Sequence, residues 1–154
     1  GFNNISKYEY CRIFSHLKAI QASYINNDEI SVICEDKLFI NNININIDDI
    51  IEKAPDDWEI INLYCNNTEY INKIIQDNKN NTNFFYKWKE NNTSTLIYII
   101  NRKRMKKLLD IYLNDNIFKL NDKLKNKVYK CIYNTSNTYN HIVPQFYSKE
   151  KNIN

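Results

Sequence analysis

Glycine is almost absent from this chain: of 154 residues, Gly1 is the single one. That excludes the glycine-dependent phosphate loops, both the dinucleotide fingerprint and the P-loop. A bound nucleotide would have to be held by carboxylates, a metal or side-chain cations. Cysteine is scarce too, and Cys11, Cys34, Cys65 and Cys131 form no CxxC pair and no zinc spacing. A disulfide framework is not expected of a chain of this size and composition. Cys34 and Cys65 sit in apolar, strand-like runs and are expected to be small core residues. No apolar run approaches the ~20 residues of a membrane helix, and no signal peptide is visible. Charge of one sign is lacking as well. The 21 basic residues face 18 acids, and a formal charge of +3 is too mild to argue for a nucleic-acid partner. No Ser-His-Asp, Cys-His or zinc arrangement can be assembled at a recognised spacing.

Asn and Ile are heavily used instead, with Lys close behind. This matches AT-rich coding DNA, so sequons such as Asn66-Asn67-Thr68 carry no argument for glycosylation. One basic run stands out, Arg102-Lys103-Arg104-Met105-Lys106-Lys107. On a helix it forms either a solvated face or a contact to a phosphate-bearing partner.

Periodicity predicts a helix over 6–25, where Ile13, Phe14, Leu17, Ile20 and Tyr24 recur near every 3.6 residues. Strands are expected over 30–34, 58–65, 84–88, 95–100 and 127–133. A short helix over 47–54 stops at Pro55, another is possible around 70–75, and a third covers 103–113. Segment 38–47, alternating Asn with Ile, is either a strand or an irregular crossing. Few helix signals follow Asn134. The length suits one domain with a real core, here 1–146, followed by a tail over 147–154. The class is α/β.

The most informative stretch runs from Ser15 to Asp36. A helix carrying Ser15-His16 precedes a short apolar strand that ends in Glu35-Asp36. Ligands of open α/β sheets bind outside the carboxyl ends of strands. Two acids there are well placed to hold a hard divalent cation, which in turn can hold a diphosphate.

These residues resemble family 25 glycosyltransferases, the relatives of lipooligosaccharide and procollagen galactosyltransferases. Glu9, Ser15, His16 and Ala19 look like the first part of that pattern, and Ile33, Glu35 and Asp36 like the second. Pro55-Asp56-Asp57-Trp58-Glu59-Ile60-Ile61-Asn62-Leu63 is similar to the family's Pro-x-Asp-Trp-Asp and following strand. Thr95-Leu96-Ile97-Tyr98-Ile99-Ile100-Asn101-Arg102 is similar to its Thr-x-x-Tyr-x-Ile-Ser-Arg segment. The matches fall in family order and cover roughly residues 6–146. The resemblance implies a GT-A-like nucleotide-sugar fold lacking its N-terminal strand. It also implies transfer of a hexose from a uridine diphosphate (UDP) sugar to a hydroxyl of a glycan or protein acceptor. Three departures stand against it: Lys37 replaces the third acid of Glu-Asp-Asp, residues 128–133 supply no acid, and the family's first strand and helix have no counterpart before Gly1.

On this reading Asp36 is the first candidate catalytic and metal ligand for Mn²⁺ or Mg²⁺, with Glu35 second. Neighbouring strand side chains point to opposite faces, so both reach one ion only if the strand ends between them. Lys37 either neutralises phosphate directly or cancels Asp36. Ser15, His16 and Arg102 complete the candidate donor- and phosphate-binding set. For each there is a plain alternative. Ser15 would bond its own helix, His16 would be a packed histidine bonded to backbone, and Arg102 would reach an acid. Trp58 and Tyr98 are expected to pack. The alternative function is a non-catalytic, degenerate copy of the same fold, serving as a binding or assembly module.

Overall fold

Ser6 starts the first helix: its side chain accepts the Glu9 N–H at 3.2 Å, and α1 then runs Lys7–Ile25. Asn26 caps its end, and Asn27 turns the chain away in the left-handed conformation (φ 62°) that asparagine tolerates better than most residues. The computed structural model describes residues 5–36, 45–77, 84–119, 127–134 and 136–141. After α1 come β1 (Ile30–Cys34), α2 (Ile47–Glu52), β2 (Ile60–Asn62), α3 (Thr68–Asp77), β3 (Phe85–Lys87) and β4 (Ile97–Asn101). The order continues with α4 (Arg102–Tyr112), the two-residue strands β5 (Leu113–Asn114) and β6 (Ile117–Phe118), α5 (Val128–Ile132) and β7 (Thr138–His141). The predicted tail over 147–154 and most of segment 38–47 lie outside the described residues.

Five strands form one mixed sheet in the order β1-β4-β2-β7-β3. β4 runs antiparallel to both β1 and β2, β7 runs parallel to β2, and β3 runs antiparallel to β7. The α/β class therefore holds, with helices on both faces of the sheet. Ile33, Ile60, Tyr98 and Ile100 form one face, under Ile13, Leu17 and Ile20 of α1, Met105 and Leu108 of α4, and the apolar side of α5. Ile61, Leu63, Ile97 and Ile99 form the other face, covered by Ile50 and the partly buried Ile47 and Ile51 of α2. Each such aliphatic side chain contributes about 1.5–3 kcal/mol when fully buried.

One expected strand is a helix, and one strand was not foreseen. Residues 128–132 are helical where a strand over 127–133 was expected. Val128, Cys131 and Ile132 are buried at i, i+3 and i+4 spacing, and packing on α1 and α4 overrides their β-propensity. The Glu9 carboxylate accepts the Val128 N–H at 3.0 Å, and Arg104 donates to Ile132 O at 2.6 Å and Asn134 O at 2.9 Å. An anion at the start and a cation at the end match the helix dipole. The second surprise is β7, which carries no aliphatic residue yet is paired on both sides, with Thr138 and Asn140 buried.

Asparagine ties this end of the sheet together. Asn92 donates to Asn140 Oδ1 at 2.8 Å, Asn62 donates to Ser94 O at 3.0 Å, and the Ser94 N–H reaches Asn92 Oδ1 at 3.2 Å. Buried amides are costly unless bonded, and these bonds fix the loop that presents Thr95.

Candidate functional site

The N-terminal half of α1 and the C-terminal end of β1 enclose a cleft of ≈ 420 Å³ lined by Tyr8, Cys11, Arg12, Ser15, Ala19 and Asp36, with His16, Ile33, Cys34 and Glu35. Helical periodicity explains the first set: residues 8, 11, 12, 15 and 19 share one flank of α1. Antiparallel pairing explains the second. β1 lies in register with β4, and the Glu35 N–H continues the ladder to Leu96 O at 2.8 Å, so the two acids emerge where β1 stops.

Glu35 is the focus of the site. Its Oε1 accepts from Arg12 NH2 at 2.7 Å, Thr95 Oγ1 at 2.7 Å and His16 Nε2 at 3.2 Å. The His16 bond, followed by those from Arg12 and Thr95, outweighs burial and holds the carboxyl down to about 2. Glu35 is therefore ionised across the neutral range and is a poor base. Because the carboxylate only accepts, the proton of His16 sits on Nε2. In the neutral ring Nδ1 then accepts the Tyr98 hydroxyl, 2.9 Å away. The His16 and Tyr98 rings also stack, with centroids 5.7 Å apart and an interplanar angle of 17°. Burial raises the Tyr98 phenol well above its usual value, and the Glu35 charge adds to this. Tyr98 is fully buried, so the chain Tyr98–His16–Glu35 positions groups and offers no nucleophile to solvent.

Arg12 is the residue that sequence reasoning missed. It bridges Glu9 (NH1 to Oε2, 3.1 Å) and Glu35, and it also reaches Thr95 Oγ1 at 3.0 Å. Its Nε is buried with no hydrogen-bond partner among the described residues. The available signal was the Glu9–Arg12 spacing, one helical turn, which makes an i,i+3 pair.

The other candidates divide. Asp36 is exposed at the cleft rim, and no ion pair holds it among the described residues. Ser15 lines the cleft, and its hydroxyl donates to Cys11 O at 2.9 Å, within its own helix. His16 is buried but bonds to side chains, not backbone. Lys37 lies outside the described residues. Arg102 is not brought to this cleft. It sits at the opposite end of β1, stacked on the Tyr24 ring at 4.1 Å and donating to Tyr24 O at 3.0 Å and Asn27 Oδ1 at 3.2 Å. There it satisfies a carbonyl near the end of α1.

Cys34 is exposed, contrary to expectation, because it lies on the α2 side of the sheet but on the outer strand β1, beyond the strands that α2 covers; Cys65 is buried as expected. The basic run is neither simply solvated nor free for phosphate. Arg104 is buried under α5, Lys107 pairs with the buried Glu59, and Lys106 pairs with Asp110 at 2.7 Å. Burial pushes Glu59 up, but the Lys107 and Asn137 hydrogen bonds prevail and its carboxyl ends below the usual value.

No group of three or more His, Cys, Asp or Glu side chains among the described residues is arranged to hold a metal. Mg²⁺ usually takes only one or two carboxylates and completes its shell with water and substrate phosphate. Asp36 fits that partial donor set, whereas Glu35 Oε1 is already taken by three donors. No helix among the described residues is long and apolar enough to cross a membrane. Comparison with protein-family models, with curated proteins and with solved structures finds no match.

Proposed function

We propose that the chain is a glycosyltransferase domain that binds a UDP-sugar at the cleft between α1 and β1 and transfers its hexose to a hydroxyl acceptor. One observation carries the reading. Three segments far apart in sequence, each quoted for the family resemblance, converge on one carboxylate: His16, Glu35 itself, and Thr95 with Tyr98 one bond further. A shared packing purpose would not require that the motif residues be the ones that meet. In the proposed reaction a bond forms between the acceptor oxygen and the sugar's anomeric carbon, the bond to the diphosphate breaks, the acceptor's hydroxyl proton passes to solvent, and UDP leaves. A divalent cation, when bound, would supply charge neutralisation for the departing diphosphate. Asp36 is the carboxylate placed to hold it. Arg12, His16 and Glu35 form the wall that fixes the end of β1, and so fix where Asp36 stands.

The test is turnover of UDP-glucose and UDP-galactose, by hydrolysis or transfer, with and without Mn²⁺. Mn²⁺-dependent turnover lost in Asp36→Ala is the expected result. Activity that persists in chelator and disappears on Lys37→Ala would point to an ammonium in place of the metal.

A second reading is a non-catalytic copy of the fold, and the filled Oε1 of Glu35 favours it, because it leaves Asp36 as the one unpaired acid lining the cleft among the described residues. A thermal shift with UDP but no turnover with any donor would select that reading.

A further inference from the structure

β1 is paired on one side only among the described residues. The two hydrogen bonds that extend its ladder, Glu35 N–H to Leu96 O and Arg102 N–H to Glu29 O, are both 2.8 Å long. In an antiparallel pair bonded positions recur every second residue. Residues 29, 31, 33 and 35 therefore spend their backbone groups on β4. The N–H and C=O groups of Ile30, Val32 and Cys34 point the other way, to the open edge.

The side chains at the same three positions are also uncovered. Ile30 is 37 % exposed and Val32 43 % exposed, and Cys34 is exposed. Their cross-strand neighbours Ile97 and Ile99 lie under α2, which stops short of β1. Sheet edges are ordinarily blunted by lysine, proline, a bulge or brevity. The other outer strand, β3, is three residues long and carries Lys87. β1 has five residues and neither charge nor proline.

Acids frame this open stretch. Asp28 and Glu29 precede it, and Asp36 follows Glu35 at the far end; none of Asp28, Glu29 and Asp36 is in an ion pair among the described residues. A second copy of the chain is a poor occupant for that reason. The register that satisfies all the outward groups centres Val32 on Val32 and sets Glu29 against Glu35 and Asp28 against Asp36. Like charges directly opposite one another destabilise a strand pair.

We infer that the free edge of β1 is a docking site for an extended peptide, which adds as a sixth strand through Ile30, Val32 and Cys34 and carries basic residues at its ends to meet Glu29 and Asp36. Main-chain bonds supply affinity in this mode, and alternate side chains supply specificity. The site shares Cys34 and Asp36 with the cleft of the proposed function but otherwise rests on the edge and the α2-side face of β1, so peptide binding and Mn²⁺-dependent turnover are separate readouts.

The probe is a fluorescein-labelled, end-capped Lys-Thr-Val-Thr-Val-Thr-Val-Lys, whose valines fall opposite Cys34, Val32 and Ile30 and whose lysines fall opposite Asp36 and Glu29 in the antiparallel register. Saturable anisotropy is expected. Amide hydrogen exchange should slow at Ile30, Val32 and Cys34 on peptide addition, with Ser31 and Ile33 already slow without it. Val32→Pro deletes an outward N–H that β4 does not use, so it should weaken binding by about tenfold or more while the protein stays folded. Val32→Lys, which keeps that N–H but opposes the basic peptide, serves if the proline variant fails to fold. The same peptide with glutamate at both ends should bind several-fold more weakly. Binding unchanged by both Val32 variants overturns the inference. So does slow exchange at Ile30, Val32 and Cys34 in the free protein, which would mean that its own chain covers the edge. A dimer in sedimentation that Val32→Lys converts to monomer would assign the edge to a second copy instead.

Discussion

His16 Nε2 stands 3.2 Å from Glu35 Oε1, joining the middle of the first helix to the end of the first strand. This contact dominates the downward shift of the Glu35 carboxyl from an ordinary 4.5 to about 2. A carboxylate depressed in the folded state stabilises the protein above its unfolded value, and that contribution is lost as pH falls through the folded one. Stability should therefore decline between 4.5 and about 2. Urea titrations of Glu35→Gln across that window should show a shallower decline, with a residual slope from Glu59, whose carboxyl is also lowered. At neutral pH the same variant should lose about 1–3 kcal/mol, because the half-buried Arg12 and the buried His16 then face a neutral amide in place of the carboxylate.

Asp36→Asn should behave in the opposite way. The side chain is exposed and unpaired among the described residues, so stability should change by no more than about 0.5 kcal/mol. If the cleft binds UDP-sugar with a cation, the variant should lose the Mn²⁺-dependent thermal shift while keeping its Tm in plain buffer. Differential scanning fluorimetry measures both quantities.

Arg104→Ala should cost about 3–5 kcal/mol, since it empties a buried site and leaves the carbonyls of Ile132 and Asn134 without their donor. Hydrogen exchange should show α5 opening first. Glu9→Ala removes the anion at the other end of α5 and should cost about 1–2 kcal/mol.

Tyr98→Phe keeps the ring stack and the packing against Tyr133 but deletes the hydroxyl facing His16. The expected loss is about 1–2 kcal/mol, because Nδ1 is left buried without a partner. Denaturant unfolding checks it, and a change in the His16 ring signals by NMR separates this cause from general loosening.

The elements with strong periodicity were legible in the sequence: α1, α4, and the apolar strands β1, β2 and β4. So was the meeting of Ser15, His16, Glu35 and Asp36 at one cleft. What escaped had physical reasons. Val128–Ile132 carries β-favouring residues at helical spacing, and only its packing decides between the two. Thr138–His141 is a strand whose buried positions are polar, which alternation of apolar residues cannot reveal. Asparagine was set aside as compositional bias, yet Asn46, Asn67 and Asn101 accept the backbone N–H groups of Asp49, Tyr70 and Arg104 at helix starts. A residue that is abundant for reasons of base composition still does capping work wherever it lands. Arg102 looked free in a basic run, and the sequence could not show that the last carbonyls of α1 lay beside it.

The parallel pairing of Ile60–Asn62 with Thr138–His141 has a consequence for biosynthesis. A nascent polypeptide still holding Thr138–His141 inside the ribosomal exit tunnel has, among the described strands of the main sheet, β1, β4 and β2 to zip together, and Phe85–Lys87 has nothing to join. During that interval β2 presents a raw flank to solvent or to a chaperone. The slowest folding step should accordingly be the late threading of this strand between two earlier ones, a contact made across about half of the chain.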